Sequence, residues 1–163
     1  LFLIAPHAHL PCASGLKGLK MNTSTATVAP FTIAYWGVLV AALLPYVCAS
    51  LAKSGGVGKS RKAGGFDNHD PRAWLAQQTS WHARANAAQA NSFEGLPFFI
   101  GAVVIAHQLG AAQMWVDTLA VVYVLARIAF IFCYVRDIPT ARSAVWTVGL
   151  LANIGILLAG WRW

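Results

Sequence analysis

Acidic residues are almost missing from this chain. Asp and Glu number five in 163 residues, and charged residues of both signs make up only 10%. Soluble domains carry about 25% charge, so this composition excludes an ordinary water-exposed enzyme. With 58% hydrophobic residues it also excludes a disordered chain. Cysteine is scarce as well. Cys12, Cys48 and Cys133 form no Cys-x-x-Cys pair and are odd in number, which argues against a disulfide framework and a zinc site. Neither Gly-x-Ser-x-Gly nor His-Glu-x-x-His occurs, so hydrolase chemistry has no footing. Gly58-Lys59-Ser60 ends like a phosphate-binding loop, but the glycine required five positions earlier is Lys53. The segment reads instead as a flexible, basic linker. Asp67, His69 and Asp70 lack a second cluster at ligand spacing and read as a solvated turn.

What the chain has in quantity is long apolar runs. Phe31 to Leu51 is free of charge over 21 positions, close to the roughly 20 residues that cross a hydrocarbon core of about 30 Å. Pro45 lies inside it, which lipid-embedded helices tolerate. Met114 to Val135 is a second run, interrupted by Asp117 and Arg127, and Ser143 to Trp161 is an uncharged third. Between them, Phe93 to His107 is too short alone. Extended to Ala83 to Leu109 it becomes 27 residues, roughly 40 Å of helix. The expected fold class is therefore all-α: an integral membrane four-helix bundle, with membrane lipid as its solvent.

The net charge of +7 would suggest nucleic acid in a soluble protein. Here it follows topology, and no nucleic-acid partner is expected. The loop at residues 52–82 carries Lys53, Lys59, Arg61, Lys62 and Arg72; the third connection carries Arg136, with Arg142 at its end; Gly110 to Gln113 carries no cation. The positive-inside rule places both basic connections in the cytoplasm and both termini outside. Residues 1–28 are expected to be a disordered extension, with Met21 as the natural start, and 29–163 to form the membrane domain.

Ionisable groups at membrane depth cost at least about 2.5–3.5 kcal/mol on insertion scales, so they face the bundle interior and often mark function. At about 100° per residue, Arg84, Asn91 and Glu94 fall within one stripe of the second helix. Tyr123, Arg127, Phe130 and Tyr134 share one face of the third. Arg142 and Ser143 begin the fourth. Two readings fit. In one, Glu94 and Arg127 form a buried ion pair with Asn91 as a hydrogen-bonding neighbour, and the residues serve helix and subunit packing in a non-enzymatic membrane protein. In the other, an arginine-rich pocket open to the cytoplasm brings an anionic cosubstrate to a lipid-soluble partner.

The stretch RANAAQANSFEGLPFF, Arg84 to Phe99, resembles the second-helix signature of the MAPEG family, the membrane-associated proteins of eicosanoid and glutathione metabolism. Arg127 and Tyr134, followed by Arg142-Ser143, resemble that family's third- and fourth-helix signature, and the GGFDNHDPRAW loop looks like its bacterial members. The resemblance implies a MAPEG-like homotrimer in a bacterial inner membrane. It further implies a glutathione-dependent transferase or peroxidase acting on a hydrophobic small-molecule electrophile. Glutathione would be the cosubstrate, bound between subunits by Arg84, Asn91, Glu94, Arg127 and Tyr134. Arg142 would activate its thiol, with Ser143 as the neighbouring hydroxyl and no metal. There are departures. Gln89 and Phe130 stand where members often have His and Tyr or His, Ala87 and Ala90 where better-known members have Arg, and Trp146 where Tyr is frequent.

Overall fold

The computed structural model describes residues 30–161. The expected extension at 1–28, Met21 and Cys12 lie outside the described residues. The described chain is all-α: α1 (Ile33–Lys53), α2 (Pro71–Ala76), α3 (Ser80–Gln108), α4 (Gln113–Val135) and α5 (Pro139–Leu158). Four of these are long and apolar enough to cross a membrane. The chain is thus a multi-pass integral membrane protein. The exposed surface of these helices carries large apolar side chains, among them Leu43, Leu125, Phe132 and Leu151, as a lipid-facing wall requires.

α3 and α4 pack against each other, and α1 and α5 lie on opposite sides of that pair. The contacts are made by small residues. Ala34 and Ala41 of α1, Ala102 and Ala106 of α3, Ala120 of α4 and Ala152 of α5 are all buried, around Phe99, which stacks on Tyr123 at 4.0 Å. Small side chains let membrane helices approach closely enough for dispersion contacts to hold them. A second cluster, Cys48, Ala88, Phe130 and Ile131, lies toward the opposite end of the bundle from the first.

The helix ends explain where the elements begin and stop. α3 ends in a left-handed residue, Gly110 at φ 65°, with Ala111 N–H donating to the Ala106 carbonyl. α4 ends the same way with Asp137 at φ 62° and Ile138 N–H donating to Cys133, 2.9 Å. This is the Schellman arrangement, with Asp where Gly is commonest. Pro139 then occupies the first helical turn, which suits a residue without N–H. α5 therefore starts four residues before the apolar run does, so Arg142 closes its first turn and Ser143 opens the second.

Beyond Gly58-Lys59-Ser60, which is exposed and lies outside any helix, the basic loop is folded. Asp70 caps α2 by accepting from Ala73 N–H, 3.1 Å, and Pro71 opens that helix. Trp74 is buried, donates from Nε1 to the Gly64 carbonyl at 3.3 Å and meets Phe66 edge-on. Asp67 accepts from His69 N–H and pairs with Arg61 at 3.4 Å. Among the described residues no His, Cys, Asp and Glu group could hold a metal.

Asp117, which interrupts the apolar run of α4, has a structural role. Its Oδ1 accepts from Ala34 N–H at 2.8 Å, satisfying a free donor at the start of α1, and from Gln113 Nε2 at 2.9 Å. The negative charge also sits favourably against the positive end of the α1 dipole. Asp117→Ala should therefore lower the thermal unfolding temperature of purified protein, by an amount matching the loss of an N-cap of about 0.5–2 kcal/mol, whereas Asp117→Asn, which still accepts, should melt close to the parent.

Candidate functional site

The polar residues singled out in the sequence separate into two groups. One is structural. Arg127 is 5% exposed, and its Nη2 donates to the Asn91 carbonyl at 2.7 Å and to Asn91 Oδ1 at 3.0 Å. The Asn91 amide in turn donates to Glu94 Oε2 at 3.4 Å. Arg127 and Glu94 make no direct ion pair, contrary to the simplest packing expectation. Asn91 stands between them, bonded to both, and Glu94 is exposed whereas the guanidinium is buried. Beside them, Tyr123 donates its hydroxyl to the Gly95 carbonyl at 3.2 Å.

Arg84 shares a stripe with Asn91 on α3 but does not share its surroundings. Its Nε and Nη2 both donate to the Val135 carbonyl at 3.1 Å, and its Nη1 lies 3.7 Å from Asp137. It caps the C-terminal end of α4, where unpaired carbonyls and the negative end of the dipole favour a cation.

The other group lines an open groove of about 470 Å³ beside α5. Asn91, Phe130, Tyr134, Arg142, Ser143, Trp146 and Thr147 form its wall. Arg142 is half-buried and makes no ion pair among the described residues. Its guanidinium lies 4.5 Å from the centre of the Tyr134 ring. Tyr134 meets Phe130 edge-on at 5.4 Å, and Phe130 carries Arg127 over its other side at 4.9 Å. Two arginines and two rings thus form a continuous ladder, in which each cation faces an aromatic ring. Ser143 donates to the Pro139 carbonyl at 3.2 Å and Thr147 to Ser143, 3.0 Å, so both hydroxyls keep acceptor lone pairs.

Of the residues expected at a site, the groove brings together Asn91, Tyr134, Arg142 and Ser143. It does not include Arg84, Glu94 or Arg127. Trp146 and Thr147 were not anticipated as site residues. Their signal is simple spacing, since Arg142, Ser143, Trp146 and Thr147 repeat on one face of α5.

A family model described as the MAPEG family matches residues 33–161, the whole bundle and its loop. The chain belongs to the MAPEG family. No curated protein and no solved structure matches it. In this MAPEG chain, the α3 and α4 motifs meet through Asn91, and the α5 motif opens onto the groove.

The α3–α4 contact leaves little room. A Cβ at Gly95 would lie 3.2 Å from Tyr123 Oη and 3.5 Å from the Arg127 guanidinium carbon. Gly95→Val should wedge the helices apart and cost about 1–3 kcal/mol, read as a lower unfolding temperature, while Gly95→Ala should cost much less.

Proposed function

We propose that this MAPEG protein is a glutathione-dependent transferase or peroxidase acting on a lipophilic electrophile, from a homotrimer in a bacterial inner membrane with its basic loops in the cytoplasm. One observation carries the reading. Arg142 is the groove's guanidinium without an anion partner among the described residues, held over Tyr134 beside a hydroxyl that can still accept. A cation so placed favours the ionised thiol, which is the nucleophile. In conjugation, the cosubstrate's thiol gives its proton to water, the thiolate sulfur forms a bond to the electrophilic carbon, and that carbon's bond to halide or oxygen breaks with the electron pair leaving on the halide or oxygen. Arg142 would hold the charge on sulfur, Ser143 would turn its hydroxyl hydrogen from the Pro139 carbonyl to the sulfur, and Tyr134 would fix the guanidinium through its ring face.

The donor set suits a site shared between subunits. Glutathione presents two carboxylates and an ammonium, and within one chain Arg84 and Arg127 are already engaged. Glu94, exposed on a spanning helix, would receive the cosubstrate's ammonium. Arg127, bonded to Asn91 and outside the groove, would hold α3 against α4 without touching the cosubstrate.

A second reading, a non-enzymatic bundle that keeps the fold, is favoured by the same engaged arginines. It makes Glu94 and Arg142 irrelevant to any ligand. Titration calorimetry of the purified full chain separates the two. Glutathione should bind at millimolar concentration or below. Arg142→Ala and Glu94→Gln should each weaken binding about 10- to 150-fold, the range of one charged hydrogen bond, without lowering the unfolding temperature. Tyr134→Phe should keep conjugation of a generic aromatic electrophile and Tyr134→Leu should lose it. No heat at millimolar glutathione, or unchanged binding in both charge variants, would reject the enzyme reading.

A further inference from the structure

At the end of the bundle where α1 and α4 begin, Asp117 is isolated in charge. Among the described residues 30–40, 100–122 and 150–161 there is no Lys, no Arg and no other acid. Its Oδ1 is used by Ala34 N–H and Gln113, but Oδ2 has no partner among the described residues. This carboxylate lines a cavity of about 390 Å³ with Met114, Thr118 and Val121. A second cavity of about 190 Å³, with apolar lining that includes Gly37 and Val124, shares Ile33 and Val121 with it. From Met114 to Leu125 the groove runs about 16 Å along α4, at 1.5 Å per residue. That is half of a hydrocarbon core of about 30 Å, the depth of a single leaflet.

An uncompensated carboxylate above a leaflet-deep apolar channel has a defined complement: a lipid whose headgroup ends in an N–H-donating ammonium. The geometry points to a structural lipid site on the α1/α4 face. Its occupant is a phospholipid with a primary ammonium head, phosphatidylethanolamine, with the ammonium on Asp117 Oδ2 and one acyl chain along Val121. Anionic lipid is disfavoured there by the same charge, and a quaternary head offers no N–H to donate. The site lies at the opposite end of α4 from Tyr134 and is independent of the proposed chemistry.

The test is native mass spectrometry of the purified full chain from mild detergent, with equal amounts of phosphatidylethanolamine, phosphatidylcholine and phosphatidylglycerol. Phosphatidylethanolamine should be retained about five-fold over each of the others, the scale of one partly solvated charge pair. Asp117→Asn keeps the α1 cap and should bring retention to parity with an unchanged unfolding temperature. Val121→Trp leaves the carboxylate but fills the channel, and should also abolish the preference. Equal retention of the three lipids by the parent chain, or an undiminished preference in Asp117→Asn, would overturn the assignment. So would a groove closed by a second copy of the chain, seen as no retained lipid on a stable oligomer.

Discussion

The structure depends on keeping one guanidinium, that of Arg127, inside a bundle whose outer solvent is lipid. A buried cation is tolerable only where acceptors surround it. Asn91 supplies two, a backbone carbonyl and a side-chain oxygen, and the Phe130 ring a third, weaker contact. These bonds require α3 and α4 to approach at the level of Gly95, where a side chain would meet Tyr123 and Arg127. The Asn91–Glu94 contact and the aromatic face of α4 adjoin that contact. Asn91 is turned so that its amide reaches Glu94, and Phe130 and Tyr134 continue the same face of α4 toward Arg142.

Among the charged residues expected to interrupt or flank the spans, Asp117 and Arg84 share a second logic. Asp117 reaches from α4 to the start of α1, and Arg84 reaches from α3 to the end of α4. Each satisfies backbone groups that lipid cannot, at the helix end whose dipole has the complementary sign. Arg142, over Tyr134, is the exception. It caps nothing and pairs with nothing among the described residues, and it faces an open groove. Structural demand accounts for Arg127, Arg84 and Asp117. It does not account for Arg142, and this difference separates scaffold from candidate chemistry in this MAPEG protein.

Much of the scaffold was legible in the sequence because lipid imposes one simple rule on long apolar runs. The four spans follow from it, as does the shared face of Tyr123, Arg127 and Phe130, all of which are buried. The start of α5 was misplaced because Pro139 and the left-handed Asp137 set it through turn geometry rather than hydropathy. The folded loop was missed because Trp74 and Phe66 form a cluster too small to show as a periodic pattern. Membership of Arg84, Asn91 and Glu94 in one stripe was readable, but their partners were not. A helical wheel gives direction around an axis, whereas Arg84 reaches along the axis to Val135 and Arg127 comes from another helix.

The most direct measurement is of stability and ligand affinity on one sample of Arg127→Gln. If Arg127 is the clamp between α3 and α4, the unfolding temperature falls by several degrees, while the protein that remains folded binds glutathione nearly as the parent does. An unchanged unfolding temperature with glutathione binding abolished would contradict the account, because Arg127 would then be a ligand-holding residue and not the bond that fixes the bundle.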